Sequence, residues 1–111
     1  MASPVLAPVH DTNLSGEISV GLLQNMHNLQ KFLIARNELS GHIPPYLFNN
    51  TASLQYIIMG NNSLSGPIPY SIGSLTMLVQ LSLKYNNMSR LQEIWLASNS
   101  LTAAADFLSL Y

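Results

Sequence analysis

Apolar residues recur along this chain in a pattern that repeats about every twenty-five residues. Residues 29–44 read LQKFLIARNELSGHIP, residues 54–69 read LQYIIMGNNSLSGPIP, and a shorter copy, NLSGEIS, lies at 13–19. The leucine before each Ser-Gly falls at Leu14, Leu39 and Leu64. A period of this length predicts a solenoid, because one unit of this size cannot bury its apolar edge without neighbours.

Within each repeat, apolar and polar residues alternate through the part that reads LxLxxN, which is the pattern of a strand with one buried face. The predicted inward positions are Leu29, Phe32, Ile34, Asn37, Leu39 and Ile43 in one coil, Leu54, Ile57, Met59, Asn62, Leu64 and Ile68 in the next, and Leu78, Leu81, Leu83, Asn86 and Met88 in the third. Stacked coils of this kind predict one long parallel sheet. The return segments 45–53 and 70–77 are expected to form short helical turns on the opposite, convex side.

An asparagine follows each predicted strand, at Asn37, Asn62 and Asn86, and we interpret this ladder as structural. The turn there leaves backbone groups that water cannot reach, and a carboxamide can donate to them, accept from them and bridge to the adjacent coil. Asn62 lies between two intact repeats, so we expect it to be the best buried of the three. The Ser-Gly-x-Ile-Pro that follows favours a second short extended piece in each coil.

The repeat breaks after Met88. The next equivalent position, Leu101, is only thirteen residues further on, so about eleven residues of a coil are missing. Ser89 and Gln92 have the spacing of a helix capping box, and the alanines at 103–105 are strong helix formers. The sequence therefore predicts an N-terminal tail or partial repeat at 1–12, repeats at 13–90, and a degenerate or truncated repeat at 91–111, either a displaced strand or, as we favour, a helix.

The inserted Ser-Gly-x-Ile-Pro resembles the plant-type leucine-rich repeat, and the stretches PPYLFNNTASL and GNNSLSGPIP resemble the ectodomains of plant receptor-like kinases, particularly the immune-type group. The resemblance covers about residues 12–101. It implies an α/β leucine-rich-repeat solenoid, a short right-handed horseshoe segment with a parallel β-sheet on its concave face and an irregular or helical C-terminal part. The family departs from this chain in having a cysteine-paired cap, a membrane helix and a kinase.

The resemblance implies a fragment of a receptor-like kinase ectodomain that recognises a protein or peptide ligand, or a co-receptor, in signalling or defence. The parent family lies on the extracellular face of the plasma membrane, where its members are membrane glycoproteins. Residues 1–13 lack the pattern of a signal peptide, and no apolar run is long enough to insert into a membrane. Two other hypotheses remain: a truncated repeat product without function, and a small secreted inhibitor-type leucine-rich repeat protein.

The concave strand face is the candidate binding surface, and an ordinary solvated strand face is the alternative. Its outward positions are Lys31, Leu33 and Arg36 in one repeat, Tyr56 and Ile58 in the next, and Gln80, Lys84 and Tyr85 in the third. Tyrosine and basic residues among small polar ones are typical of protein-recognition surfaces. The uncapped ends of the solenoid, near Leu29 and Leu83, are expected to expose apolar edges and to favour self-association.

The remaining candidate chemistry is sparse. The net charge of −1 gives no reason to expect a nucleic acid as partner. There is no cysteine, the three histidines are scattered, and no hydrolase, phosphate-binding or metal-ligand motif occurs, so we predict no enzyme activity, no metal and no cofactor. Four Asn-x-Ser/Thr sequons are candidate glycosylation sites: Asn13, Asn49, Asn61 and Asn87.

Overall fold

The computed structural model describes residues 5–6 and 15–88, which form a parallel β-solenoid of about three turns. Each turn contributes one strand to each of two sheets. The first sheet contains β1 (Val5–Leu6), β3 (Lys31–Leu33), β5 (Tyr56–Ile58) and β7 (Gln80–Ser82). The second sheet contains β2 (Ser15–Glu17), β4 (Glu38–His42), β6 (Ser63–Gly66) and β8 (Asn87–Met88). The leucine-rich-repeat solenoid that the sequence predicts is confirmed.

The first sheet forms where the alternating pattern predicts strands. Its inward side chains Phe32, Ile57 and Leu81 are at most 1% exposed, and each pairs in register with the next. All predicted apolar inward positions from Leu29 to Leu83 are buried, and Met88 is half-buried. The burial of these side chains is what holds one coil against the next, because a single coil has no second layer of its own.

The second sheet is the main feature of the fold that the sequence pattern did not predict. The second extended piece of each coil was expected, and strands β4 and β6 coincide with it. These pieces also pair with one another in parallel, with Ser40 opposite Ser63 and His42 opposite Ser65. The backbone amide and carbonyl groups of this region therefore find partners in the neighbouring coils rather than in water.

The return segments differ between coils. Residues 45–50 form a series of turns, in which Leu47 and Asn49 each donate a backbone hydrogen bond to the residue three positions earlier. Residues Tyr70–Ser74 form a 3₁₀ helix, which we call η1 and which is the single helical element within the described ranges. The predicted helical turn is thus found over residues 70–74 of the segment 70–77, while residues 45–50 of the segment 45–53 form turns instead.

The prediction of an exposed apolar edge at Leu29 is wrong. Leu29 is fully buried, because the preceding coil supplies Ile18 and Leu23 to the same core and β1 pairs with β3. Leu83, at the other predicted edge, is 1% exposed. The predictions for residues 91–111 and for Asn13 lie outside the described residues.

Candidate recognition surface

The outer face of the first sheet carries nine positions in three rows, which we call the grid. The first row is Lys31, Tyr56 and Gln80, the second is Leu33, Ile58 and Ser82, and the third is Ala35, Gly60 and Lys84. Strand pairing gives the first two rows directly. The third continues the same register, because the residues after Ala35 and Gly60 donate backbone hydrogen bonds of 2.9 and 2.8 Å to Gly60 and Lys84.

The three rows of the grid differ in chemistry. In the first row the Lys31 ammonium lies 5.5 Å from the centre of the Tyr56 ring, which is within the range of a cation–π interaction. In the second row Leu33 and Ile58 are half-buried, so this part of the face is apolar and partly accessible. The third row has little side-chain relief, since Gly60 is buried and a Cβ there would lie 3.0 Å from the Lys84 carbonyl oxygen. The grid is therefore a shallow surface with an apolar centre and a lysine at two opposite corners.

A row of turn residues follows the grid. Arg36, Asn61 and Tyr85 have φ values of 56°, 55° and 61°, which is the left-handed region. Asparagine tolerates this region well, but arginine and tyrosine adopt it rarely. All three side chains are exposed, and the Tyr85 side chain is 71% exposed. Two of the predicted binding residues, Arg36 and Tyr85, thus lie beside the grid on turns, rather than on the strands.

The predicted asparagine ladder lies between the two sheets. The Asn62 amide donates to the carbonyls of Ile34, Met59 and Gly60, each at 3.1 Å, and its oxygen accepts a 3.1 Å bond from the Leu39 amide. One side chain therefore connects the exit of a first-sheet strand to the second sheet of the preceding coil.

The other two ladder positions follow the same plan. Asn86 donates to the Met59, Leu83 and Lys84 carbonyls and accepts from the Leu64 amide. Asn37 donates to the Ile34 and Ala35 carbonyls. The expectation that Asn62 is the best buried is wrong, because Asn37 is 8% exposed while Asn62 and Asn86 are half-buried. Burial along the ladder therefore does not follow from a position between two intact repeats.

The sequon asparagines within the described residues lie on three different elements. Asn49, Asn61 and Asn87 are all exposed, on a return segment, in the turn row and in β8 respectively. In the first of these sequons the Thr51 side chain is fully buried and its hydroxyl donates a 3.1 Å hydrogen bond to the Phe48 carbonyl. Asn49 is therefore exposed on a turn that the buried Thr51 hydroxyl stabilises through its hydrogen bond.

The sequence pattern did not predict that side chains of one coil pack against the glycines of the next coil in the second sheet. The Glu17 side chain lies over Gly41, where a Cβ would come within 2.8 Å of its Cγ, and the His42 ring lies over Gly66, where a Cβ would come within 2.5 Å. Both residues line a groove of about 530 Å³ together with the exposed Val20. The recurring Ser-Gly-x was the available signal, because a glycine there leaves room for the variable side chain of the preceding coil.

The described residues present neither a metal-ligand cluster nor a membrane-spanning helix. Among residues 5–6 and 15–88, no three His, Cys, Asp or Glu side chains come close enough together to hold a metal ion. Within the part of the chain that the structure describes, no helix is long and apolar enough to cross a membrane.

Stacked coils with paired parallel sheets, an asparagine ladder and an outward grid define a leucine-rich-repeat solenoid. A family model described as "Leucine rich repeat" matches residues 27–88, and the chain belongs to this family. No curated protein sequence matches the chain. The solved structures that it resembles include ectodomains of plant leucine-rich-repeat receptor kinases.

Three of these structures, all from Arabidopsis, illustrate the likeness. The BIR2 ectodomain is 35% identical with a TM-score of 0.66, and the match covers 71% of this chain and 41% of that one. The receptor kinase HAESA, in complex with the peptide hormone IDA and the co-receptor SERK1, is 30% identical with a TM-score of 0.70, covering 76% and 14%. The GASSHO1/SCHENGEN3 ectodomain, in complex with CASPARIAN STRIP INTEGRITY FACTOR 2, is 28% identical with a TM-score of 0.69, covering 76% and 10%. The chain thus spans less than half the length of each.

Proposed function

We propose that this chain is a peptide- or protein-recognition module of the plant receptor type, and that the grid with its adjoining turn row is the binding face. The observation that carries the proposal is the half-buried apolar second row, Leu33 and Ile58, flanked by Tyr56 and two lysines. A ligand laid across this face removes apolar surface from water and meets polar groups at its margin, which is the general composition of recognition surfaces.

One of the similar structures favours a peptide over a folded domain as the ligand. In that structure HAESA is in complex with the peptide hormone IDA and the co-receptor SERK1, and in another the GASSHO1/SCHENGEN3 ectodomain is in complex with CASPARIAN STRIP INTEGRITY FACTOR 2. We extend this to the present chain as a role in extracellular signalling or defence, with a peptide on the grid and a second receptor as a further partner. The exposed Asn49, Asn61 and Asn87 are the proposed glycan acceptors on that extracellular surface.

The chain offers a matched pair of tyrosines for testing this proposal. Tyr56 lies on the grid, whereas Tyr46 is 77% exposed on a return segment. Peptides are selected from a random library against the full chain secreted from plant cells, and their dissociation constants are measured for the Tyr56→Ala and Tyr46→Ala variants. Intact mass of the same secreted protein reports which sequons carry glycan.

We expect Tyr56→Ala to weaken binding about tenfold or more, as loss of a central aromatic contact does, and Tyr46→Ala to leave it unchanged. Selected peptides that bind both variants equally well would contradict the grid as the binding face. Protein that selects no peptide at all would contradict peptide recognition itself.

A further inference from the structure

The charged side chains of the described residues are segregated between the two sheets. The basic residues are Lys31 in β3, Arg36 in the turn after it and Lys84 two residues after the end of β7. The acidic residues are Glu17 in β2 and Glu38 in β4. The chain as a whole has a net charge of −1, yet the first-sheet side of the described structure carries only positive charge. Net charge alone therefore conceals a basic binding face.

The two lysines of the grid stand at opposite corners. Lys31 is in the first row of one coil, and Lys84 is in the third row two coils further on. Neighbouring strands are about 4.8 Å apart and a strand rises about 3.3 Å per residue, so their Cα atoms are separated by about 10 Å across the sheet and about 13 Å along it. The diagonal is about 16 Å, and the half-buried Ile58 lies at its midpoint.

We propose that the grid selects an acidic peptide in an extended conformation, with an apolar residue at its centre and an acidic residue on each side. An extended chain advances about 3.4 Å per residue and its side chains alternate between two faces, so acidic residues four positions apart share one face at a separation of about 14 Å, which flexible lysine side chains can match to the 16 Å diagonal. One carboxylate meets Lys31, the other meets Lys84, and the central side chain lies on Ile58. This inference rests on the proposed function and adds the charge and the spacing of the ligand.

Charge complementarity and the apolar midpoint together favour a peptide over other anionic partners. Nucleic acids owe most of their affinity to many phosphate contacts along a run of basic residues. Here the two grid lysines are separated by the apolar Ile58 and by Ser82, which suits side chains of alternating chemistry better than a uniform phosphate backbone. The acidic residues on β2 and β4 repel the same ligand, so an acidic peptide is directed to the first sheet.

The decisive experiment changes the ligand and leaves the protein intact. A fluorescent peptide with glutamates at positions 1 and 5 and leucine at position 3 is compared with analogues in which both glutamates are glutamine or lysine. We expect the glutamate peptide to bind about tenfold more tightly than the glutamine peptide, since two partly exposed ion pairs contribute on this scale. The difference should shrink as salt rises from about 50 mM to about 300 mM.

Variants of the chain then test which residues cause the preference for the glutamate peptide. The double variant Lys31→Gln with Lys84→Gln should bring the ratio between the glutamate and glutamine peptides close to one, while Glu38→Gln, a matched charge-neutralising control on the second sheet, should preserve it. Circular dichroism of each variant checks that the fold is retained. An unchanged ratio in the double variant would refute the assignment of the two lysines.

Each remaining outcome has a separate meaning. If glutamate and glutamine peptides bind equally and Tyr56→Ala weakens both, the acidic preference is wrong and the proposed recognition function stands. If Tyr56→Ala leaves the binding of both peptides unchanged, the proposed function fails, and the acidic preference fails with it. A single-stranded oligonucleotide or a phosphatidylserine vesicle that binds the chain more tightly than the glutamate peptide would also overturn the choice of a peptide.

Discussion

The two sheets of this solenoid are built from the same number of strands but by different means. In the first sheet, large side chains alternate between a dry core and an outer face, and Phe32 meets Phe48 edge to face at 6.1 Å. In the second sheet, strands rich in serine and glycine pair chiefly through their backbones, and variable side chains rest on glycines of the next coil. The strands of the first sheet therefore bury large side chains beneath them, whereas the glycines of the second sheet make room for side chains of the preceding coil.

The largest expected effect lies in the core beneath the first sheet. Phe32→Ala should lower the free energy of unfolding by about 3–5 kcal/mol, because the side chain is fully buried and its loss leaves a cavity beside Phe48. The control is Leu33→Ala, the next residue on the opposite, outer face, which is half-buried and should cost less than about 1.5 kcal/mol. Urea unfolding of both variants makes the comparison, and equal losses would mean that the alternation does not divide core from surface.

The ladder between the sheets should show the second largest effect. Asn62→Leu should destabilise by about 1–3 kcal/mol, because it leaves the Ile34 carbonyl and the Leu39 amide without the bonds that this side chain makes to them. Asn50→Leu makes the same chemical change at an exposed turn position and should stay within about 0.5 kcal/mol of the parent. A small loss at both positions would show that water replaces the carboxamide between the sheets.

The smallest of the three effects concerns the glycines of the second sheet. Gly66 has a φ of 79° and lies beneath the His42 ring, whereas Gly16 has a φ of 85° with nothing within 4 Å of its Cβ position. Each alanine substitution should cost about 1–2 kcal/mol from backbone strain, with Gly66→Ala a few tenths of a kcal/mol worse because the exposed His42 must turn away.

The double variant Gly66→Ala with His42→Ala should lose only the extra destabilisation that the His42 ring causes and should keep the cost of backbone strain. Thermal melts of Gly16→Ala, Gly66→Ala and the double variant measure this difference. If the double variant regained full stability, the glycine would serve to admit the histidine rather than to permit the turn.

The contrast between the sheets also explains what sequence could predict. The inward positions of the first sheet follow from alternation, since a strand with one buried face has a period of two. The rows of the grid follow from the same repeat, because spacings of twenty-five and twenty-four residues align Lys31, Tyr56 and Gln80. The pairing in the second sheet has no such pattern, because glycine and serine mark no face and backbone bonds leave no trace in side-chain hydrophobicity.

Other features needed the coordinates for different reasons. The position of Lys31 over Tyr56 depends on side-chain rotamers that a register does not specify. The burial of Leu29 depends on a first coil whose repeat is only partly recognisable, so the edge was expected to be open. The candidate binding residues could thus be named from sequence, while their arrangement into an apolar centre with lysines at two corners could not.

The one-residue difference in coil length has a wider consequence. The coil that follows Leu64 is one residue shorter than the coil before it, and the missing residue lies in the segment that contains η1. A 3₁₀ helix rises about 2.0 Å per residue and so spans a similar distance with fewer residues than a compact turn. Insertions and deletions can accumulate on that outer side without shifting any position of the grid. Gene duplication and unequal recombination among such repeats can therefore change a coil's length while preserving the geometry with which its face presents new side chains.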